Sequence, residues 1–285
     1  MALLRAAEMA RPAAERVCSD PYAKSFVNPI SLFVSGPFIR AGLPDRLFLG
    51  GAMSFALARE QYVHDVMARE ASAGLDQVVI LGAGFDTRAY RIAQMAEVPV
   101  FEVDHPVTQA AKRKAIRGVV EPFPANVTFV PVDFDQDALG DRLAAAGYDP
   151  AGRTLFVWQG VTMYLTAAGV DNTLAFVARH SAPGSLVIFD YFYRSGLADG
   201  STLGLRLVTR AMGEDTVFGI DRADIAGFLG ARGFGEVSDV DGAELKRRYF
   251  TGINARRPMT RDGGIVSARV LATRSSRGAQ LSFCH

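Results

Sequence analysis

The chain has 285 residues, 49% of them hydrophobic, with 31 basic against 30 acidic side chains. A net charge of +1 argues against a dedicated nucleic-acid binder, which would gather a basic excess on one face. Aromatic residues at 10% and 28 glycines exclude a disordered or coiled-coil chain and leave a globular protein of one or two domains.

Only two cysteines occur, Cys18 and Cys284, so neither a disulfide scaffold nor a thiolate-clustered zinc site is expected. That usage fits a reducing compartment, and a cytoplasmic location is the expectation. The start, Met1-Ala-Leu-Leu-Arg5, meets charge too early for a signal peptide. No run approaches about 18 apolar residues, so no membrane span is expected.

In chain order, residues 1–75 read as helices and loops, a helical lid interrupted at Asn28-Pro29, Gly36-Pro37 and Leu43-Pro44. Within them, 52–69 has helical spacing, with Phe55, Tyr62, Val63, Val66 and Met67 on one face. Arg59 falls four residues from both Phe55 and Val63, inside that apolar stripe, and a buried arginine needs a partner. A neighbouring carboxylate, Asp65 or Glu60, would serve; so would a ligand carboxylate held in two-pronged fashion.

From residue 76 the pattern changes to short apolar runs alternating with helical stretches. The runs are Val78–Leu81, Val98–Val103, Val127–Val132, Thr154–Trp158, Leu186–Phe189, Gly235–Val240 and Ile265–Thr273. Runs that are apolar on both faces are what buried parallel strands look like. Helices are expected over 86–96, 106–118, 136–146, 167–181 and 222–232, which makes an α/β sheet with helices on both faces. The last two runs have no long helix between them and fit an antiparallel pair at the sheet end. Residues 192–221 are too long for a plain connection and read as a cap insertion over the site.

The first run enters Gly82-Ala83-Gly84-Phe85-Asp86-Thr87, a tight turn where backbone and ligand can approach closely. Asp86 would cap the following helix. The third glycine of the dinucleotide fingerprint is absent, and a Gly-x-Gly turn alone serves many strand-to-helix connections. The second run ends in Asp104-His105-Pro106, an acid placed to accept both hydroxyls of a ribose. Glu102 lies deeper on the same face. The third ends in Asp133-Phe134, an acid and a ring suited to an adenine, and the fourth in Gln159-Gly160. Three successive strand tips therefore carry Asp104, Asp133 and Gln159 on the edge where α/β ligands bind, which points to a nucleoside-containing ligand. His64, His105 and Tyr164 stand near enough in the pattern to approach such a site. No Gly-x-Ser-x-Gly, His-Glu-x-x-His or Gly-Lys-Ser/Thr motif occurs.

The stretch Gln77 to Arg91 closely resembles the first motif of the leucine carboxyl methyltransferase family. Asp20 to Phe26, Arg59, Phe101 to Pro106, Val130 to Asp133, Gly160 to Leu165 and Ala223 to Phe234 extend the likeness over most of the chain. The resemblance implies a Rossmann-like class I methyltransferase fold with a mostly parallel seven-stranded sheet. It also implies S-adenosyl-L-methionine as cofactor and S-adenosyl-L-homocysteine as product. By that likeness Arg59 holds the methionine carboxylate, with Gly82, Ala83 and Gly84 beneath it. Asp104 with His105 would meet the ribose, Asp133 and Phe134 the adenine, and Gln159 with Gly160 the ammonium side. Gln159 departs from the family's usual glutamate and loses a charge-assisted bond, so either cofactor affinity is lower or a compensating acid stands elsewhere.

The expected activity is methyl transfer to a carboxylate or hydroxyl of a small-molecule acceptor, of the natural-product type. Two other readings stand beside it: methylation of a protein or peptide C-terminal carboxylate, and a nicotinamide dehydrogenase or non-catalytic nucleoside-binding module. A carboxylate acceptor is already ionised at neutral pH; a phenol would need a base, with His64 or Tyr164 the first suspects. Arg206 and Arg210, one helical turn apart, would steer an anionic acceptor or form a solvated face.

Overall fold

In a computed structural model, which describes residues 1–133, 136–198, 210 and 217–272, seven strands form one sheet. They are β1 (Gln77–Leu81), β2 (Val100–Asp104), β3 (Val127–Pro131), β4 (Thr154–Trp158), β5 (Leu186–Phe192), β6 (Phe234–Asp241) and β7 (Gly263–Val270). The order is β3-β2-β1-β4-β5-β7-β6. The first five strands are parallel to one another, and β7 runs antiparallel to both β5 and β6. The expected antiparallel pair is therefore present, with the last strand inserted inside the edge strand.

The alternation within the strands explains the layers. Val78 and Ile80 join one apolar cluster, Val79 and Leu81 the other, so β1 is buried on both faces. Each such side chain contributes ~1.5–3 kcal/mol on burial, which is why these runs tolerate no polar alternation. Helices α4 (Ala52–Ser72) and α11 (Gly242–Tyr249) cover the first face. Helices α7 (Leu139–Ala145), α8 (Ala167–Arg179) and α10 (Ile225–Gly230) cover the second.

The N-terminal part holds α1 (Ala2–Glu8), α2 (Pro29–Arg40) and α3 (Leu43–Leu47). The proline expectation needs correcting here. Asn28 caps α2, its side chain accepting from Ile30 N at 2.8 Å, and Pro29 opens that helix. Pro44 opens α3 in the same way, since a first-turn residue has no use for its N–H. Pro37 lies inside α2, an exposed helix that can leave the unpaired carbonyl one turn back to water.

Helix α4 is fixed at its start by the buried Asp45 of α3. The carboxylate accepts from Met53 N at 2.8 Å, Ser54 N at 2.9 Å and Ser54 Oγ at 2.7 Å. Those N–H groups are orphans of the first turn, so this distant acid does the capping that Gly51 cannot. Two turns further on, the same helix presents Arg59 and Glu60.

After β1 the expected helix 86–96 shrinks to α5 (Arg88–Arg91) and a 3-10 turn at Ala93–Met95. A four-residue helix has little dipole to offer a ligand, so the positive helix end expected there is largely missing. Helix α6 spans Pro106–Ile116, and α9 spans Arg194–Ala198, just after β5. Arg206 and Phe134 lie outside the described residues, as do Cys284 and most of 192–221. Among the described residues, no helix is long and apolar enough to cross a membrane.

Candidate functional site

The turn after β1 is held by its backbone: Ala83 N donates to Val103 O at 3.0 Å and Asp86 N to Ala83 O at 2.8 Å. Gly82 and Gly84 adopt φ of +65° and +45°, a region that side chains avoid. A Cβ on Gly82 would come within 2.6 Å of Val161 Cγ2, so the turn packs directly against the Val161 side chain of the loop after β4. Gly84 N donates to Asp104 Oδ2, and His105 N to Asp104 Oδ1 at 2.7 Å. The acid at the tip of β2 is thereby locked against the glycine turn, with further lone pairs left on each oxygen.

Above this turn lies a cavity of about 170 Å³, bounded by Gly82, Ala83 and Gly84 below. Arg59 and Glu60 of α4, Arg5 of α1, Arg88 of α5, and Gln159 with Gly160 after β4 complete its charged and polar wall. The sequence-derived residues thus divide. Arg59, the glycine turn, Gln159 and Gly160 converge on the cavity, whereas Asp104 and Asp133 stand at neighbouring strand tips outside it. Asp133 is half-buried, its Oδ2 accepting from Gln136 Nε2 at 2.9 Å. His105 is exposed and caps α6, its Nδ1 accepting from Val107 N at 3.3 Å.

Arg59 is buried, as its place in the apolar stripe requires, but its partner is neither Asp65 nor Glu60. Nη1 donates to Asp190 Oδ2 of β5, whose Oδ1 accepts from Gly160 N at 2.6 Å. Asp190 therefore ties α4 to the loop after β4. Sequence reasoning passed over it, although the strand-tip rule that selected Asp104, Asp133 and Gln159 would have flagged an acid at the end of the β5 run.

A second network was also invisible in local sequence. Glu60 Oε1 meets Arg91 Nη2 at 2.7 Å, Arg5 Nη1 at 3.5 Å and Arg88 Nε at 3.9 Å. Burial works to raise the Glu60 carboxyl, yet Arg88, Arg5 and Arg91 hold it down to about 2. Arg5 also donates to Phe85 O at 2.5 Å and faces Asp20 Oδ2 at 3.2 Å, which gives the Asp20-Pro-Tyr motif its structural task. Asp86 does accept from Arg88 N at 2.8 Å, as a cap would, but it mainly clamps the Arg88 guanidinium. That pairing overrides its burial and keeps its carboxyl well below the usual range. Glu102 proves structural: fully buried, it meets Lys112 Nζ at 2.6 Å.

The remaining candidates lie off the cavity wall. His64 Nδ1 sits 2.9 Å from Arg91 Nη1, and burial together with Arg91 holds its pKa below the usual imidazole value. Accepting from a guanidinium at Nδ1 fixes the proton on the other ring nitrogen, an arrangement for a hydrogen-bond acceptor rather than a base. A general base contributes ~10²–10⁴-fold, so His64→Gln is expected to keep turnover within about threefold in initial-rate assays. A hundredfold loss would instead place His64 in the chemistry. Tyr164 closes the 3-10 turn Thr162–Tyr164 and is half-buried.

A methionine zwitterion needs donors for its carboxylate and an acceptor for its ammonium. Arg59 Nε and Arg88 Nη1 are buried donors without partners, and Gln159 Oε1 is a buried acceptor without one. Such orphans cost free energy unless something fills them, and these three match the two ends of that zwitterion. The glycine floor leaves the room.

The strand order and a cavity seated on the first glycine turn define a Rossmann-like class I methyltransferase. Residues 1–178 match the leucine carboxyl methyltransferase family model. A Frankia alni protein named as an S-adenosyl-L-methionine-dependent methyltransferase is 34% identical over 203 residues, covering 70% of this chain and 69% of that one. A Mycolicibacterium vanbaalenii protein named in the same way is 30% identical over 260 residues, covering 86% and 83%. The structure of an O-methyltransferase family protein from Burkholderia thailandensis shares the fold, with a TM-score of 0.51, 14% identity, and coverage of 88% and 72%. The chain belongs to the leucine carboxyl methyltransferase family and is an S-adenosyl-L-methionine-dependent methyltransferase.

Proposed function

We propose that this methyltransferase acts on an oxygen of a small molecule, that a carboxylate is the acceptor its site serves best, and that the product belongs to natural-product chemistry. The observation that supports the carboxylate reading is the placing of the first candidate base: His64 lies off the cavity wall, with its Nδ1 taken up by Arg91 Nη1 at 2.9 Å. An acceptor that arrives already ionised needs no base.

Bound in the cavity, the cofactor supplies an electrophilic methyl group on a sulfonium centre. The chain's part is to hold and orient. Arg59 and Arg88 offer their unfilled N–H groups to the methionine carboxylate, Asp104 its remaining lone pairs to the ribose, and Asp133 stands at the adenine. The packed turn at Gly82 and Gly84 excludes water from beneath. Fixing two reactants in line can contribute roughly 7–11 kcal/mol without any proton transfer.

The test is a panel of carboxylic acids, phenols and alcohols incubated with S-adenosyl-L-methionine and read by mass. A gain of one methyl that is lost on mild base treatment is expected, and identifies an ester. With such an acceptor, kcat/KM is expected to stay level from about pH 6 to 9 and to fall only as the acceptor's own carboxyl protonates near pH ~4. A base-stable product, or a rising limb near pH 7, would assign the acceptor to a phenol or alcohol hydroxyl instead.

A further inference from the structure

Among the side chains lining the cavity, three carry acceptor oxygens: Glu60, Asp86 and Gln159. Both oxygens of Asp86 lie within 3.1 Å of Arg88 Nε and are spent on that guanidinium. Glu60 Oε1 is turned to Arg91 and Arg5. Two atoms remain. Glu60 Oε2 accepts from Gln159 Nε2 at 3.2 Å, and Gln159 Oε1 is buried with no partner.

These two atoms form one device. A carboxylate that takes the amide's N–H fixes which way the amide lies and leaves its carbonyl oxygen as the open end. It also polarises that carbonyl, because hydrogen bonds in a chain strengthen one another in a low-dielectric interior. An unfilled acceptor one amide away from a full negative charge is a seat for a cation. The glutamate expected at position 159 is missing, yet a carboxylate stands next to that position, contributed by α4 instead of the β4 loop.

Resting on the reading of this cavity as the place of the cofactor's methionine part, we propose that Glu60 and Gln159 together seat its ammonium group. Gln159 Oε1 accepts the ammonium N–H, and Glu60 orients the amide and supplies the balancing charge. Glu60 is thus a positioning residue for the cofactor. The same carboxylate also holds Arg5 of α1 and Arg91 at the end of α5, so the ammonium seat, the N-terminal helix and the helix after the glycine turn share one anion.

Calorimetry with two ligands tests this: S-adenosyl-L-homocysteine, and 5′-methylthioadenosine, which lacks the amino-acid part. Glu60→Gln is expected to weaken S-adenosyl-L-homocysteine at least tenfold while 5′-methylthioadenosine stays within about twofold. Exchanging the two groups, Glu60→Gln with Gln159→Glu, returns the charge to the neighbouring side chain and is expected to recover affinity to within about threefold. Gln159→Leu leaves Glu60 with its arginines and is expected to show the same selective loss; it decides the matter if Glu60→Gln does not fold by circular dichroism. An unchanged ratio of the two affinities in Gln159→Leu, or an exchange variant that folds without recovering affinity, overturns the proposal. A wild-type protein that binds neither compound removes the whole cofactor seat, and this pair with it.

Discussion

Replacing Arg59 with methionine is expected to lower the melting temperature by roughly 5–15 °C, and to weaken S-adenosyl-L-homocysteine at least tenfold. The first effect comes from what is left behind. Asp190 is 2% exposed, and without Arg59 its carboxylate keeps only the Gly160 N–H. Breaking a buried pair from one side costs about 3–5 kcal/mol, more than the pair itself contributes, because an uncompensated charge remains. Adding Asp190→Asn removes that charge and is expected to return most of the stability. It is not expected to return the affinity, because the Arg59 Nε that has no hydrogen-bond partner in the protein is still gone. Thermal unfolding and calorimetry on the two variants separate the effects. If the double variant regains affinity along with stability, Arg59 serves the fold alone.

Gly82→Ala is expected to be nearly as damaging, for a steric reason. The left-handed φ of +65° costs a side chain about 1–2 kcal/mol, and the new Cβ would meet Val161 Cγ2 at 2.6 Å. Overpacking of that kind costs ~1–3 kcal/mol and would push Val161, and with it the neighbouring Gly160, away from Arg59. Cofactor affinity is expected to fall at least tenfold. Val161→Ala in the same chain relieves the contact but not the backbone strain, so chemical denaturation should show about half the loss recovered. Full recovery would mean that φ carries no cost at this turn.

How far the sequence spoke for itself depended on how local the physics was. Strands β1, β4 and β5 were legible because burial on both faces demands an uninterrupted apolar run, and the tips of β1 and β4 then led to the cavity. Arg59 was legible as a buried cation from spacing on one helix. Its partner was not: Asp190 lies 131 residues away, and nothing near Arg59 encodes it. Glu60 read as a possible partner for its neighbour, whereas tertiary contacts with Arg5, Arg88 and Arg91 claimed it. The helix expected over 86–96 is cut to a single turn because the backbone turns extended at Ile92 (ψ 112°) before a separate 3-10 turn, a break that the apolar pattern does not mark. Asp45 could not be seen as the cap of α4, since a cap is normally sought beside the first turn rather than in the preceding helix.

The place of β7 bears on how the molecule is made. Among the described residues β6 has β7 as its sole ladder neighbour, and β7 follows it in the chain by more than twenty residues, across α11 and the turn Gly252–Arg256. During synthesis β6 leaves the ribosome with no strand to receive its backbone N–H and C=O groups, and β5 is likewise left with one edge open. Both wait for Gly263–Val270, which closes the two ladders in one insertion. A chain stopped short of Gly263 would therefore lose the docking of two strands rather than one, and expose the β5 edge to pairing with other nascent chains.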